Sequence, residues 1–430
     1  MLTRRQTLQA LGAAGLAAPL LTACGGAYST PDRAGDAGLR LVEADVARSA
    51  GDPQAVAGVV DAMRALTRDL WDAVGASREN LALSPYSIAV ALAMTANGAA
   101  GPTQRQMLDV LHVGSLAREN AGLAALTRTL AALAVRVDLG GGQHADIALA
   151  SANQLFGDRE TTWGAPFLTV LGKEYGAGMR TVDFRNHADA GRVAVNRWTS
   201  GQTHDRIPQI LPPGSVDPTT RLVLVNALYF KAAWAQPFEK AATQQGTFRT
   251  ADGTRVEVPM MTNTPRDAVY LSGPHHTAAR LPYVGGTLAM TLALPDPGHE
   301  SDALADVLAG LTGNGDAGVR VSVPRWTFRS PTDLRQPLID LGMVRAFGGG
   351  ADFSPMSPTD PLYVHDVLHQ AFIAVDEAGT EAAAATAVVM DEMSGVLGGH
   401  ELVLDRPFLF VIHDIAHGTP LFVGRVADPS

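Results

Sequence analysis

The stretch Arg221 to Phe230, RLVLVNALYF, is apolar at both odd and even positions. A strand with one wet face alternates, whereas one that does not alternate must be covered on both faces. The segment therefore predicts a central strand of a sheet packed between two layers. Asn226 sits in its middle. A side-chain amide buried there costs roughly 1–3 kcal/mol unless it is hydrogen-bonded, so it needs a partner from a neighbouring element.

Further strands are predicted over residues 255–261, 288–294, 319–323, 372–375, 408–413 and 420–426. Helices come earlier. Asp52-Pro53 supplies a cap and a first-turn proline, after which Val56, Val59, Val60, Met63, Leu66, Leu70, Trp71 and Val74 recur at three- and four-residue spacing. Ser84-Pro85 opens a second helix, with Ile88, Ala91, Leu92 and Thr95 on one face and Asn97-Gly98 at its close. Helices first and strands mainly later argue α+β rather than a βαβ series. The glycine runs 140–142 and 348–350 read as turns, not linkers, so residues 52–430 form one domain.

The start of the chain reads as an address. Arg4-Arg5 precedes a weakly polar run from Leu8 to Leu21, followed by Leu21-Thr22-Ala23-Cys24. The pair with its flanks resembles a twin-arginine export signal, and the last four residues resemble a bacterial lipobox. This predicts a signal peptide over 1–23, lipidation of Cys24, and a flexible tether over 24–51 that begins with the Gly, Ala, Ser and Pro-rich residues 25–38. The expected location is the cell envelope, on the periplasmic or cell-surface side. The apolar run is shorter than the ~20 residues needed to span a bilayer, so the membrane is reached through lipid only. Removing Arg4 and Arg5 leaves 31 basic against 43 acidic residues, a net charge of −12 with no basic stripe, which disfavours nucleic acid.

Catalytic signals are absent at recognisable spacing. No serine stands in G-x-S-x-G, no H-E-x-x-H occurs, and the single cysteine belongs to the export signal. His365/His369 and His413/His417 are four apart, which on a strand means about 13 Å, too far to share a metal. His417-Gly418 reads as a hairpin turn. No enzyme, metal or cofactor is expected.

Residues 375–390, VDEAGTEAAAATAVVM, fit no stable element of their own. The alanines favour helix. Read with period two, however, one face is Thr380, Ala382, Ala384, Thr386, Val388 and Met390, uncharged and mostly small, while Glu381 and Asp391 share the other. A strand that slides into a tight slot needs such a face. Gly379, lacking Cβ, lets the chain bend where it would go in.

The segment 377–387, EAGTEAAAATA, is similar almost residue for residue to the hinge of the serpin reactive loop. The resemblance extends over nearly all of 53–430. Asn80 to Ile88 with Met94 and residues 98–103 resemble the family's early helix. Val195 to Trp198, Arg206-Ile207 and Leu224 to Lys231 with Trp234 resemble its central strand and the residues before it. Arg406 to Phe410 and Leu421 to Arg425 resemble its C-terminal strands. Ala232 departs from a usual glycine, Ala378 from a common charge, and Ser394 to Arg406 is longer than usual.

The resemblance implies a serpin fold of mixed β-sheets surrounded by helices, with an exposed reactive-centre loop from about Glu377 to Asp405. It implies a suicide-substrate inhibitor that forms a covalent acyl complex with a serine protease and traps it by inserting the cut loop into the main sheet. Glu377, Gly379, Thr380, Ala382 and Ala384 would form the hinge. Ser84, Ser87, Asn226 and His369 would form the shutter behind the sheet, with Asn226 and His369 satisfying one another or near neighbours, and Trp234 would mark the breach. Sixteen positions after Glu377, the reactive bond falls at Met393-Ser394, with the bonds after Glu392 and Leu397 as weaker choices. Methionine implies elastase-, chymotrypsin- or subtilisin-like targets, and no Lys or Arg lies between Glu377 and Asp405 for a trypsin-like one. A monomer able to form loop–sheet polymers is expected. The competing reading is a serpin that has lost inhibition and acts as a binding module; such proteins tend to carry bulky, charged or proline residues in the hinge.

Overall fold

The computed structural model describes residues 38–75, 79–140, 143–381 and 399–430. Its helices are α1 (Val56–Val74), α2 (Pro85–Ala96), α3 (Gly101–Val110), α4 (Leu116–Leu133), α5 (Ala165–Val170), α6 (Phe184–Gln202), α7 (Glu300–Ala309) and α8 (Arg335–Asp340). The first helix buries the face its spacing predicts, Val59, Val60, Met63, Leu66, Leu70 and Trp71. The second is buried on every side, and Ser84 caps it by accepting from the Ser87 amide.

Three sheets account for most strands. The first runs β1 (Arg40–Val42), β6 (Met179–Val182), β5 (Ala148–Asp158), β7 (Leu222–Ala233), β17 (Gly379–Thr380), β16 (Asp366–Val375), β15 (Trp326–Asp333). The second runs β13 (Asp316–Ala317), β10 (Val269–Gly273), β11 (His276–Pro282), β12 (Leu288–Pro295), β19 (Phe408–Asp414), β20 (Pro420–Val426), β2 (Leu81–Leu83). The third runs β18 (His400–Val403), β14 (Val319–Pro324), β9 (Arg255–Asn263), β8 (Gln244–Arg249), and a hairpin pairs β3 (Arg136–Gly140) with β4 (Gln143–Asp146).

The central strand behaves as its sequence demands. Val223, Val225 and Ala227 of β7 pack into a cluster with Phe184, Val195 and Trp198 of α6, while Leu222, Leu224, Leu228 and Phe230 pack into the main core on the other face. Alternation is hidden because both layers are apolar.

Two boundaries differ from the sequence reading. The fold already includes residues ahead of Asp52, because Arg40–Val42 pairs antiparallel with Met179–Thr181 as an edge strand. Three residues are too few to leave a periodicity. The expected tether over 24–51 is shortened accordingly. The expected loop over 377–405 is also narrower. Gly379–Thr380 is already a strand, and His400–Val403 pairs parallel with Val319–Ser322, so the loop is anchored in a sheet at each end.

Candidate functional site

The site is a seam in the first sheet. Lower down, β7 and β16 pair directly and in parallel, from Val223 opposite Asp366 to Leu228 opposite Ala371. Higher up they part, and β17 fills the gap: Gly379 and Thr380 lie antiparallel to Ala233 and Ala232, and Thr380 lies opposite Val375. Gly379 and Thr380 are thus inside the sheet, and below them the strands are closed.

A tight turn puts them there. The Asp376 carboxylate accepts from the amides of Ala378 (2.8 Å) and Gly379 (3.2 Å). Gly379 has φ +152°, and a Cβ on it would stand 2.2 Å from the Ala232 carbonyl oxygen, so no other residue fits at this close approach. Thr380 points inward, 1% exposed, with its hydroxyl 2.6 Å from that of Tyr283. Tyr283 stacks on Trp234 at 4.7 Å, and the Trp234 indole N–H donates to the Asp376 carbonyl at 3.1 Å. Glu377 is buried; its Oε1 accepts from Arg325 Nη2 (2.5 Å) and Thr243 Oγ1 (2.8 Å). Burial pushes this carboxyl up, but the two donors outweigh it and hold it below the usual carboxylate range. Glu381 follows at φ +49°, with its backbone N–H donating to the Ala374 carbonyl at 2.8 Å and its carboxylate paired with Arg206.

Behind the closed part lies a buried polar chain. His369 and Asn226 are register partners on β16 and β7, and His369 Nδ1 donates to Asn226 Oδ1 at 2.5 Å. The Asn226 amide donates to Asn153 Oδ1 (2.8 Å), as does the Ser87 hydroxyl (2.5 Å). The backbone N–H of Ser84 donates to His369 Nε2 at 3.1 Å. This arrangement requires the neutral imidazole with its proton on Nδ1, since a second proton on Nε2 would face a donor. Parting β7 from β16 breaks the His369–Asn226 bond, because the two residues sit on opposite sides of the seam. Asn153, on β5 opposite Asn226, is the member the sequence did not reveal.

The structure thus brings together Ser84, Ser87, Asn226 and His369 in one cluster, and Glu377, Gly379, Thr380 and Trp234 at the open end of the seam. Ala382, Ala384, Met393 and Ser394, like Cys24, lie outside the described residues.

The buried histidine has a consequence for stability. Burial lowers His369 from 6.5 to about 3 and the equally buried His413 to about 4. Their unfolded forms protonate first as pH falls, so the stability they contribute is intact above about pH 6.5 and declines toward the folded values. Glu119 runs the other way: burial raises it from 4.5 to about 7, so its neutral form favours the fold as pH falls from 7. Between pH 7 and 5 each histidine costs roughly 2 kcal/mol and Glu119 returns about as much. Glu119→Gln is therefore expected to lose about 2 kcal/mol more than the parent over that interval, measured by urea unfolding at the two pH values.

The sheet is thus parted at one end by Gly379 and Thr380 and closed below them by the direct β7–β16 ladder. The family profile described as Serpin (serine protease inhibitor) matches residues 61–429. An uncharacterized serpin-like protein of Thermococcus kodakarensis is 35% identical over 379 residues, covering 86% of each chain. Leukocyte elastase inhibitor of Sus scrofa is 34% identical, covering 84% of this chain and 97% of its own. Among solved structures, the thermophilic serpin tengpin in its native state superposes with a TM-score of 0.77 at 26% identity, covering 90% of this chain and 97% of its own. Uncleaved ovalbumin gives 0.73 at 25%, covering 86% and 100%. The chain belongs to the serpin family.

Proposed function

We propose that this serpin is a suicide-substrate inhibitor of serine proteases. The observation that carries the proposal is the seam, seeded by Gly379 and Thr380 between β7 and β16. Continuing that antiparallel register, each step along the loop meets one step back along β7. Thr386 then comes opposite Asn226 and Val389 opposite Val223, which uses up the closed ladder. The residues that would face inward with Thr380 are Ala382, Ala384, Thr386 and Val388, all small enough for a slot between packed strands. A binding module has no need of such a face, and leukocyte elastase inhibitor, by its name, points to the same activity.

The chemistry belongs to the target. Its serine Oγ attacks the Met393 carbonyl carbon, the bond to Ser394 breaks, and the Ser394 amine leaves with a proton. Met393 remains esterified to the protease. Insertion of 381–389 then carries the tethered enzyme along the sheet before water can attack the ester. Met393 fits an apolar specificity pocket, so elastase, chymotrypsin and subtilisin are the expected targets. Incubation with each, followed by N-terminal sequencing of the small C-terminal fragment, is expected to read from Ser394. A start at Met393 or Gly398 moves the bond, and a start outside 388–400 refutes the assignment.

The proposal places the inhibitor in the cell envelope. The sequence around Cys24 supports cleavage before it and a thioether-linked diacylglycerol on its Sγ. Mass spectrometry of the membrane fraction is expected to find an acylated N-terminal Cys24 peptide; an unmodified Cys24 peptide would reject the anchor.

A further inference from the structure

At the turn between β10 and β11 of the second sheet, two imidazoles and a carboxylate converge from two segments. His275 lies in the turn between β10 and β11, His299 at the cap position of α7, and Asp302 in that helix's first turn. One ligand atom from each lies within 4.8 Å of the others. The imidazole rings are stacked, centroids 4.2 Å apart and 7° from parallel, and His299 Nδ1 is 3.0 Å from Asp302 Oδ2.

The backbone beneath is fixed. The Asp296 amide donates to the His275 carbonyl at 2.8 Å, and the His299 amide donates to the Asp296 carbonyl at 3.0 Å. Asp296-Pro297-Gly298-His299 is thus a closed turn, with Gly298 at φ +84°. It holds the two histidines at a set separation without help from their side chains.

We propose that His275, His299 and Asp302 form a site for a transition-metal dication of the Zn²⁺ type, with water completing a four-coordinate shell. Two nitrogen donors and one carboxylate suit Zn²⁺ and disfavour Ca²⁺ or Mg²⁺, which prefer all-oxygen shells. Metal–ligand distances near 2.0–2.2 Å place donor atoms ~3.4 Å apart, so the present cluster must contract by about an ångström. One ring must also turn, because a metal in the plane of one stacked imidazole lies off the plane of the other. His299, with 46% of its side chain exposed, has room to do so. The bound ion would clip the start of α7 to the β10–β11 turn, adding to the backbone bond and the ring stacking that already join the two segments.

The test is calorimetric titration of the full chain, stripped with EDTA, with ZnCl₂ at neutral pH. The expected result is saturation by one ion at this site and a higher melting temperature in its presence. Loss of a ligand's supporting partner alone costs roughly ten- to a hundred-fold in metal affinity. His275→Ala and His299→Ala are therefore expected to weaken binding at least about tenfold. His299→Gln, at a half-exposed position, serves if either alanine variant fails to fold. His112→Ala, which removes an exposed histidine 2.6 Å from Asp69 that is not part of the cluster, is expected to change nothing. Absence of saturable binding, or binding unchanged in the His299 variants, overturns the site; displacement of Zn²⁺ by millimolar CaCl₂ or MgCl₂ overturns its chemical class.

Discussion

Thr380→Arg is expected to turn the inhibitor into a substrate. Thr380 is 1% exposed, bonded to Tyr283 and fixed between Ala232 and Val375. A guanidinium there would be buried without a carboxylate partner, which costs several kcal/mol. The hinge would leave the sheet, and every later inserted residue depends on that first pair. Attack on the Met393–Ser394 bond does not involve residue 380, so the acyl-enzyme still forms, but insertion no longer outruns its hydrolysis. About 1.4 kcal/mol on the insertion barrier already changes that competition tenfold. The ratio of cleaved product to covalent complex should therefore rise by at least about tenfold with a protease the parent inhibits. Thr380→Ser, which keeps the hydroxyl, should leave the ratio near that of the parent. An unchanged ratio in Thr380→Arg would show that this residue does not lead the insertion.

Cleavage of the loop is expected to raise the melting temperature by about 20 °C or more. In the intact chain the lower seam is closed by one parallel ladder, Val223–Leu228 against Asp366–Ala371. Insertion replaces it with two antiparallel ladders and gains on the order of ten backbone hydrogen bonds, each worth about 1 kcal/mol net. For a chain of this size a kilocalorie moves the midpoint by roughly 2 °C. The buried polar chain through Ser84, Ser87, Asn153, Asn226 and His369 must open for this, and can close again around the new strand, since Thr386 would arrive opposite Asn226. A protease that nicks the loop without being trapped serves to prepare the cleaved form. Equal melting temperatures before and after cleavage would mean that the loop does not insert.

What the sequence showed depended on how strongly each segment declared its surroundings. RLVLVNALYF could only be a strand between two layers, and Asn226 within it could only be partnered. Pro420–Val426 and Pro85–Ala96 were legible for similar reasons, being mainly apolar and bounded by turn or cap residues. The strand β5 was not, although it pairs with β7 from Ala148 to Gly157, all but its last residue. Its sequence, ALASANQLFGD, is small and polar, and it is a strand because β6 and β7 flank it. Asn153 was missed with it. On β16 only Phe372–Val375 was read, because the preceding DVLHQA carries a histidine and a glutamine that become acceptable only once the buried polar cluster accommodates them. The hinge was legible through its small residues and its likeness to a family. That Gly379 and Thr380 already sit in the sheet was not, because that depends on Trp234, Tyr283, Arg325 and Arg206 from distant parts of the chain.

The central claim is that the target protease is trapped as an ester. Its most direct measurement is denaturing electrophoresis and intact mass after incubation with elastase, chymotrypsin or subtilisin. The account predicts a band that survives boiling in detergent, with the mass of the protease plus this chain less the fragment beginning at Ser394, and its loss under mild alkali. Complete cleavage of the loop by all three, with full recovery of protease activity and no such band, would contradict it.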